Sequence, residues 1–278
     1  MSGTLGGSPM WNPWHGCKKY SEGCANCYMF YLDKKHGRDG GEICVSKTNF
    51  DLPVRRDKSG AYKLAPGSEV MVCMTSDFFL PEADEWRPAA WDIIRSRPDL
   101  TFWLQTKRAP LVRDRLPADW GDGWPHVRLC FTAENRQRAE ERLPILASLP
   151  FSYKSVMCAP LLSDIDLEPW LKEGWIREVL ADGENYEGER PCRYEWVASL
   201  RDQCARYDVP FRFCGTGNVF IKDGKTYRIP RAYHRVQAIR SGLQYPPVDT
   251  DVPVRTKCAS CQRRDDCGGC RNCGRCRG

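Results

Sequence analysis

No stretch of the 278-residue chain approaches the roughly 18 consecutive apolar residues that a membrane-spanning helix requires, which argues against an integral helical membrane protein. The first residues, Met1 to Met10, offer Gly and Ser but no basic segment followed by an apolar one, so export is not expected and the chain reads as cytoplasmic. Histidine is scarce at four residues, and His36, His126 and His234 have no partner spacing and take no assignment. Charge of one sign is not in large excess either, since 42 basic against 36 acidic side chains leave a formal +6. A chain of this length buries a full core, as one barrel-sized domain or as a domain with a small appendage.

Cysteine is what the chain has in excess. Sixteen thiols without an export signal stay reduced and serve metals or catalysis. Cys17, Cys24 and Cys27 cluster near one end, and Cys258, Cys261, Cys267, Cys270, Cys273 and Cys276 near the other. Clustering at both ends reads as two metal sites. The stretch from Arg255 to Gly278 carries seven basic and two acidic residues, so it holds nearly all the net charge and leaves the body close to neutral. Metal-bound thiolates would offset much of that excess.

Between the clusters, short β-branched or aromatic runs read as strands at 69–75, 100–105, 127–132, 154–159, 175–180 and 210–214. Most are apolar almost throughout, the pattern of parallel strands buried on both faces. Helical periodicity fills the gaps. Residues 84–96 place Trp86, Ala90, Ile93 and Ile94 on one face, and 194–207 place Val197, Leu200, Cys204 and Tyr207 on another. Residues 134–149 form a third helix, with Arg136 to Arg142 as an exposed charged surface. The alternation predicts an α/β fold, a partial (β/α) TIM-like barrel of about six parallel strands over residues 1–244. A proline-rich linker at 245–257 then leads to the cysteine-rich metal-binding tail at 258–278. Cys73, Cys130, Cys158 and Cys214 fall in strands and Cys204 in the last helix, as buried thiols do, whereas Cys44 and Cys192 fall in loops.

In such a barrel, chemistry gathers where strands end and lead into helices. Thr75-Ser76-Asp77, Thr106-Lys107-Arg108, Thr132-Ala133-Glu134-Asn135 and Asp182-Gly183-Glu184-Asn185 occupy those places. Some of these residues start helices as N-caps, and the others line a common mouth. Ahead of them, Cys17, Cys24 and Cys27 have the form C-x6-C-x2-C, just after Trp11-Asn12-Pro13-Trp14-His15-Gly16. Three thiolates with no local fourth suit a metal that keeps an open position. Zinc would take His15 or a distant residue as its fourth ligand, whereas an iron–sulfur cubane would leave one iron free for a substrate or cofactor. Cys24-x2-Cys27 opens a predicted helix through Tyr28, Met29, Phe30 and Leu32, whose positive end lies beside the thiolates.

The Trp11-Asn12-Pro13 approach, the C-x6-C-x2-C spacing and the Cys27-Tyr28 pair resemble the phage-associated three-cysteine-motif proteins, a divergent branch of the radical S-adenosylmethionine (radical SAM) superfamily. The likeness extends over residues 11–215. It continues through Ser76-Asp77-Phe78-Phe79, the strand end at Phe102 to Lys107 and the Glu-Asn end at Phe131 to Asn135. Asp182-Gly183-Glu184 with Arg190-Pro191, and the helix and strand from Trp196 to Phe213, complete it. His15, Asp182 and Cys214-Gly215-Thr216-Gly217 depart from the family's pattern, as does the six-cysteine tail.

The resemblance implies that Cys17, Cys24 and Cys27 hold three irons of a [4Fe-4S] cluster whose fourth iron chelates SAM. One electron from a donor such as a flavodoxin or ferredoxin would cleave SAM to methionine and a 5′-deoxyadenosyl radical, which takes a hydrogen atom from the substrate. Such a site must exclude water and hold its substrate in place. From their strand-end positions, Ser76 and Asp77 are candidate contacts for the methionyl amino group or ribose, Glu134 and Glu184 are the other carboxylates at the mouth, and Tyr28 packs near the adenine. Caps and salt bridges explain the same residues as well.

The tail has too few apolar residues to fold without metal. Its repeated C-x2-C pairs suit either a second [4Fe-4S] cluster or Zn2+, and beside a first cubane the iron–sulfur reading is preferred. Its arginines would contact nucleic-acid phosphate or simply offset thiolates. Most of the ten tryptophans read as core. The expectation is therefore a radical SAM enzyme without a membrane association, acting first on a nucleic-acid base or nucleotide, and second on a peptide or small metabolite. Its rival is a non-catalytic zinc-binding protein that binds nucleic acid.

Overall fold

Parallel strands buried on both faces need helices to cover them, and the computed structural model, which describes residues 8–250, shows that arrangement. Seven strands form one sheet: β1 Met10–Trp11, β2 Glu69–Val72, β3 Thr101–Thr106, β4 Val127–Thr132, β5 Tyr153–Cys158, β6 Ile176–Asp182 and β7 Phe211–Gly215. Every adjacent pair is parallel, and the spatial order follows the chain. Order equal to chain order makes all crossovers run the same way round, which curls the sheet into a half-barrel. Among the described residues β1 and β7 do not pair, so the barrel is open. The six tail cysteines, Cys258 to Cys276, lie outside the described residues. No helix among the described residues is long and apolar enough to cross a membrane.

Six strands fall on the runs read from the sequence, shifted by a few residues. The seventh, β1, is two residues long and ends before Asn12-Pro13, too short to show a period. Helices α1 Tyr28–Lys35, α2 Arg87–Ser96, α3 Arg136–Ser148, α5 Tyr194–Arg206 and α6 His234–Arg240 accompany the sheet, with a single turn α4 at Glu168–Leu171. The β3–β4 crossover holds only two 3-10 turns, Ala109–Leu111 and Arg113–Arg115. The outer face of the sheet, with Val70, Phe102, Leu129, Phe131, Val156 and Phe211, packs under the helices. The concave face forms a second core of Met71, Trp103, Cys130, Met157 and Leu180.

The helical stripes differ from expectation at instructive points. α2 begins at Arg87, so Trp91 completes the buried set Arg87, Ala90, Trp91 and Ile94, while Trp86 and Ile93 are only partly covered. In α5, Val197, Leu200 and Cys204 are buried as expected, but Gln203 replaces Tyr207 in the stripe. On α3 the surface expected to be exposed turns inward at Arg142. That residue shares the i, i+3, i+4, i+7 stripe Ala139, Arg142, Leu143 and Leu146 and is only 2% exposed. Its guanidinium donates to the carbonyl of Thr132 at 2.6 Å and to Glu134 at 2.8 Å, so the aliphatic stem packs while the head is paired.

Two loop assignments become short strands. Cys44–Val45 pairs with Trp14–His15, and the buried Cys192 joins a small sheet with the hairpin Val219–Lys222 and Lys225–Arg228. Tyr245, placed by composition at the start of the linker, exchanges backbone hydrogen bonds with Phe211 at 2.7 and 3.0 Å, so the linker begins beyond it.

Arg142→Met strands the fully buried carboxylate of Glu134. Removing one partner of a buried pair costs about 3–5 kcal/mol, so chemical denaturation should show a loss of that order, partly restored in Glu134→Gln/Arg142→Met.

Candidate functional site

The carboxyl ends of β2, β3, β4 and β6 face one segment, the loop carrying Cys17, Cys24 and Cys27. Its start is fixed by Gly16, whose φ is +87° and where an added Cβ would lie 2.1 Å from the Glu42 carbonyl oxygen, so no side chain fits. Cys17 follows, its N–H donating to the Gly40 carbonyl at 2.9 Å. Cys24 ends a 3-10 turn, Glu22–Cys24, and Cys27 is the N-cap of α1. The helix expected after Cys27 is thus present, and all three thiols are half-buried.

Strand-end side chains fasten this loop down. Ser76 Oγ donates to the Gly16 carbonyl at 2.5 Å, and Trp14 Nε1 donates to the Asp77 carbonyl at 3.2 Å. Arg108 donates to the Lys18 carbonyl at 2.6 Å and lies over the Tyr20 ring. Glu134 accepts from Ser21 Oγ and from the Gly23 N–H at 3.3 Å. A Cβ on Gly23 would lie 3.0 Å from the Glu134 carboxyl carbon, so any larger residue there would press on that carboxylate. Glu184 accepts from Asn26 Nδ2 at 3.0 Å and from the Arg190 N–H at 2.7 Å, and Arg190 also donates to the Glu22 carbonyl at 2.9 Å. Tyr28 OH donates to the Met74 carbonyl. Outside these, Arg138 pairs with Glu22 at 2.7 Å and draws its carboxyl down to about 2.

Four of the five side chains expected to contact a cofactor, Ser76, Glu134, Glu184 and Tyr28, hold the cysteine loop or the helix it leads into. Asp77 meets Trp14 only through its backbone carbonyl, and its carboxylate turns elsewhere. Its two oxygens accept from Thr106 Oγ1 at 2.8 Å, the Phe79 N–H at 2.9 Å, the Lys107 N–H at 3.3 Å and Arg108 at 3.4 Å. Those donors fill a carboxylate's acceptor sites, which makes Asp77 a tie between β2 and β3. His15, considered as a fourth metal ligand, instead meets Asp33 at 2.6 Å, and Asp33 also pairs with Arg38 at 2.8 Å. Asn135 is a helix cap, accepting from the Arg138 N–H at 2.9 Å.

The thiols share one electrostatic neighbourhood. Burial, then Asp77, pushes Cys17 up to about 12, and Cys24 and Cys27 push the same way. Cys27 is raised by burial, opposed by backbone hydrogen bonding and by Lys107. Among the described residues no three His, Cys, Asp or Glu side chains are already set as a metal ligand group. The chemistry of the donors nevertheless fits a soft metal: three half-buried thiols on one clamped loop, which a bound cation would favour in the thiolate form.

Lys107, just past the end of β3, is the residue given no role from sequence that the electrostatics single out. Its positive charge lowers the pKa of Cys27 on the loop, Cys130 on the concave face and Glu134 past β4. Among the described residues no ion pair or side-chain hydrogen bond holds that ammonium. Burial would raise Glu134, but Lys107 and Arg142 outweigh it and keep the carboxyl below its usual range. Four polar atoms on this side are buried without a partner: Thr75 Oγ1, Trp103 Nε1, Asp182 Oδ1 and Asn185 Oδ1. Trp103 is fully buried on the concave face. Orphaned buried groups in native folds mark water, strain or a ligand. Only the strand-end spacing could have pointed to Lys107 and Asp182.

The family described as "Protein of unknown function (DUF5131)" matches residues 8–251. No curated protein and no solved structure matches the chain.

Burial raises Asp182 from 3.8 to about 7, with the Gly183 N–H opposing it. A carboxyl raised on folding supports the fold only while protonated, so its contribution is complete below pH 3.8 and is lost as the pH rises to about 7. The stability difference between wild type and Asp182→Asn, from urea denaturation across that window, should shift in favour of the variant as the pH rises. Parallel curves would refute the shift.

Proposed function

The chain belongs to the DUF5131 family of unknown function, and we propose that it is a radical SAM enzyme in which Cys17, Cys24 and Cys27 hold a [4Fe-4S] cluster. The observation that carries this reading is the presence of three soft, half-buried donors on one loop pinned to the strand ends of a parallel half-barrel. Such a cluster, when bound, supplies the electron that cleaves SAM reductively to methionine and a 5′-deoxyadenosyl radical.

The chain's own residues supply positioning and exclusion of water. Ser76, Glu134, Glu184 and Tyr28 act as positioning residues: their hydrogen bonds fix the loop relative to the strand ends, and Asp77 ties β2 to β3, so the three sulfurs and the concave face keep a constant relation. Lys107 holds positive charge where thiolates and an anionic ligand would gather. The N–H of Trp103 and the carboxyl of Asp182 remain for a polar substrate, as donor and as acceptor. With its pKa near 7, Asp182 can also give or take a proton at Oδ1. Water exclusion follows from the apolar concave layer of Met71, Met157 and Leu180. The electron enters from a flavodoxin or ferredoxin in the cytoplasm. The tail's Cys258, Cys261, Cys267, Cys270, Cys273 and Cys276 offer a second iron–sulfur or zinc site, and the first substrate class is a nucleic-acid base or nucleotide.

Anaerobically purified wild type should contain iron and sulfide, and with dithionite and SAM it should release 5′-deoxyadenosine, while Cys24→Ala should lose at least about 99% of that product. Equal product from the variant, or zinc in place of iron at this cluster, would overturn the reading.

A further inference from the structure

Near-neutrality of the body conceals a strongly uneven surface. Between Asn218 and Arg240 the chain has six basic residues, Lys222, Lys225, Arg228, Arg231, Arg235 and Arg240, and one acidic residue, Asp223. All six are exposed. They occupy the hairpin Val219–Lys222/Lys225–Arg228, the following turn and α6. Every residue of Lys225–Arg228 is exposed, and that strand forms the outer edge of the small sheet. Tyr227 and Tyr233 stand among the cations at 46% and 39% exposure. Arg228 reaches Glu189 at 3.9 Å and is itself 81% exposed.

This surface borders the cysteine site. The hairpin leaves β7 at its carboxyl end and is tied to the mouth by the Asn218 N–H, which donates to the Glu184 carbonyl at 2.8 Å. Arg231 lies over the Tyr186 ring at 5.0 Å, and that ring packs against Tyr28 and Tyr31 of α1, the helix that starts beside Cys27. The cationic face and the three thiols thus share one rim.

We propose that the hairpin and α6 are the docking surface for the phosphate backbone of single-stranded nucleic acid, which they deliver to the mouth of the half-barrel. Guanidinium groups match phosphate oxygens in a fork, and exposed tyrosine rings stack on unpaired bases without regard to sequence. Alternate residues of an extended strand lie about 6.5 Å apart on one face, which puts Lys225 and Tyr227 side by side as a cation and a stacking platform. An anionic bilayer is the poorer match, because the patch offers no cluster of large aliphatic side chains to insert. The docking surface stands on its own charges, and only the substrate class, a base within a polynucleotide, rests on the radical SAM reading.

Fluorescence anisotropy of a 5′-labelled single-stranded oligonucleotide, titrated with the full chain over a range of salt, tests this. Lys225→Glu/Arg228→Glu should bind at least about tenfold more weakly, with a salt slope smaller by about 1 for each residue changed. Lys58→Glu/Lys172→Glu, which reverses exposed charges elsewhere, should bind like wild type. Equal binding by the hairpin variant, equal loss in both variants, or capture of wild type by phosphatidylserine vesicles but not by oligonucleotide would overturn the proposal. Release of 5′-deoxyadenosine, followed in the same preparations without nucleic acid, separates the two claims. Oligonucleotide binding without SAM cleavage sinks the enzymatic reading alone, and cleavage without hairpin-dependent binding sinks the docking surface alone.

Discussion

The loop from Gly16 to Cys27 has almost nothing apolar to bury, yet it must be held still if its three thiols are to act together. Polar side chains at the strand ends meet that requirement. Glu134 and Glu184 each accept hydrogen bonds from the loop while a buried or half-buried arginine balances their charge, Arg142 for one and Arg190 for the other. Such contacts are worth little where water competes and far more where it is excluded. Four strands contribute, so the loop's position is fixed by the curvature of the sheet.

The same arrangement sets the electrostatics. Burial raises Cys17 and Cys27, and each thiolate discourages its neighbours. Left alone, these groups would stay protonated. A bound cation would reverse the balance, because metal binding favours the deprotonated thiol. The positive charge of Lys107 acts in the same direction on Cys27. On the concave side, Trp103 Nε1 stays buried without a hydrogen-bond partner.

The sheet was legible in the sequence because strands buried on both faces are apolar almost throughout, and few other local structures produce six such runs separated by helical periods. β1 escaped notice because pairing with β2, not local pattern, makes it a strand. The strand-end residues were legible by position but not by role. Capping, loop docking and cofactor contact call for the same side chains at the same places, and only three-dimensional partners separate them: Asn135 caps, while Ser76, Glu134 and Glu184 dock. Arg142 reads as exposed because a charged residue ordinarily marks the outer face, although its i, i+3, i+4, i+7 relation to Ala139, Leu143 and Leu146 puts it on the buried stripe. The basic hairpin was hidden by summation, since acidic residues elsewhere cancel its charge in any whole-body count.

Under the proposed reading the protein ligand set stops at three and would leave one metal position for an incoming molecule, on which paramagnetic resonance reports directly. The spectrum of the dithionite-reduced protein, recorded before and after addition of SAM, should contain an iron–sulfur signal whose g values shift when SAM binds. A signal unmoved by SAM, or no iron–sulfur signal at all, would contradict the account.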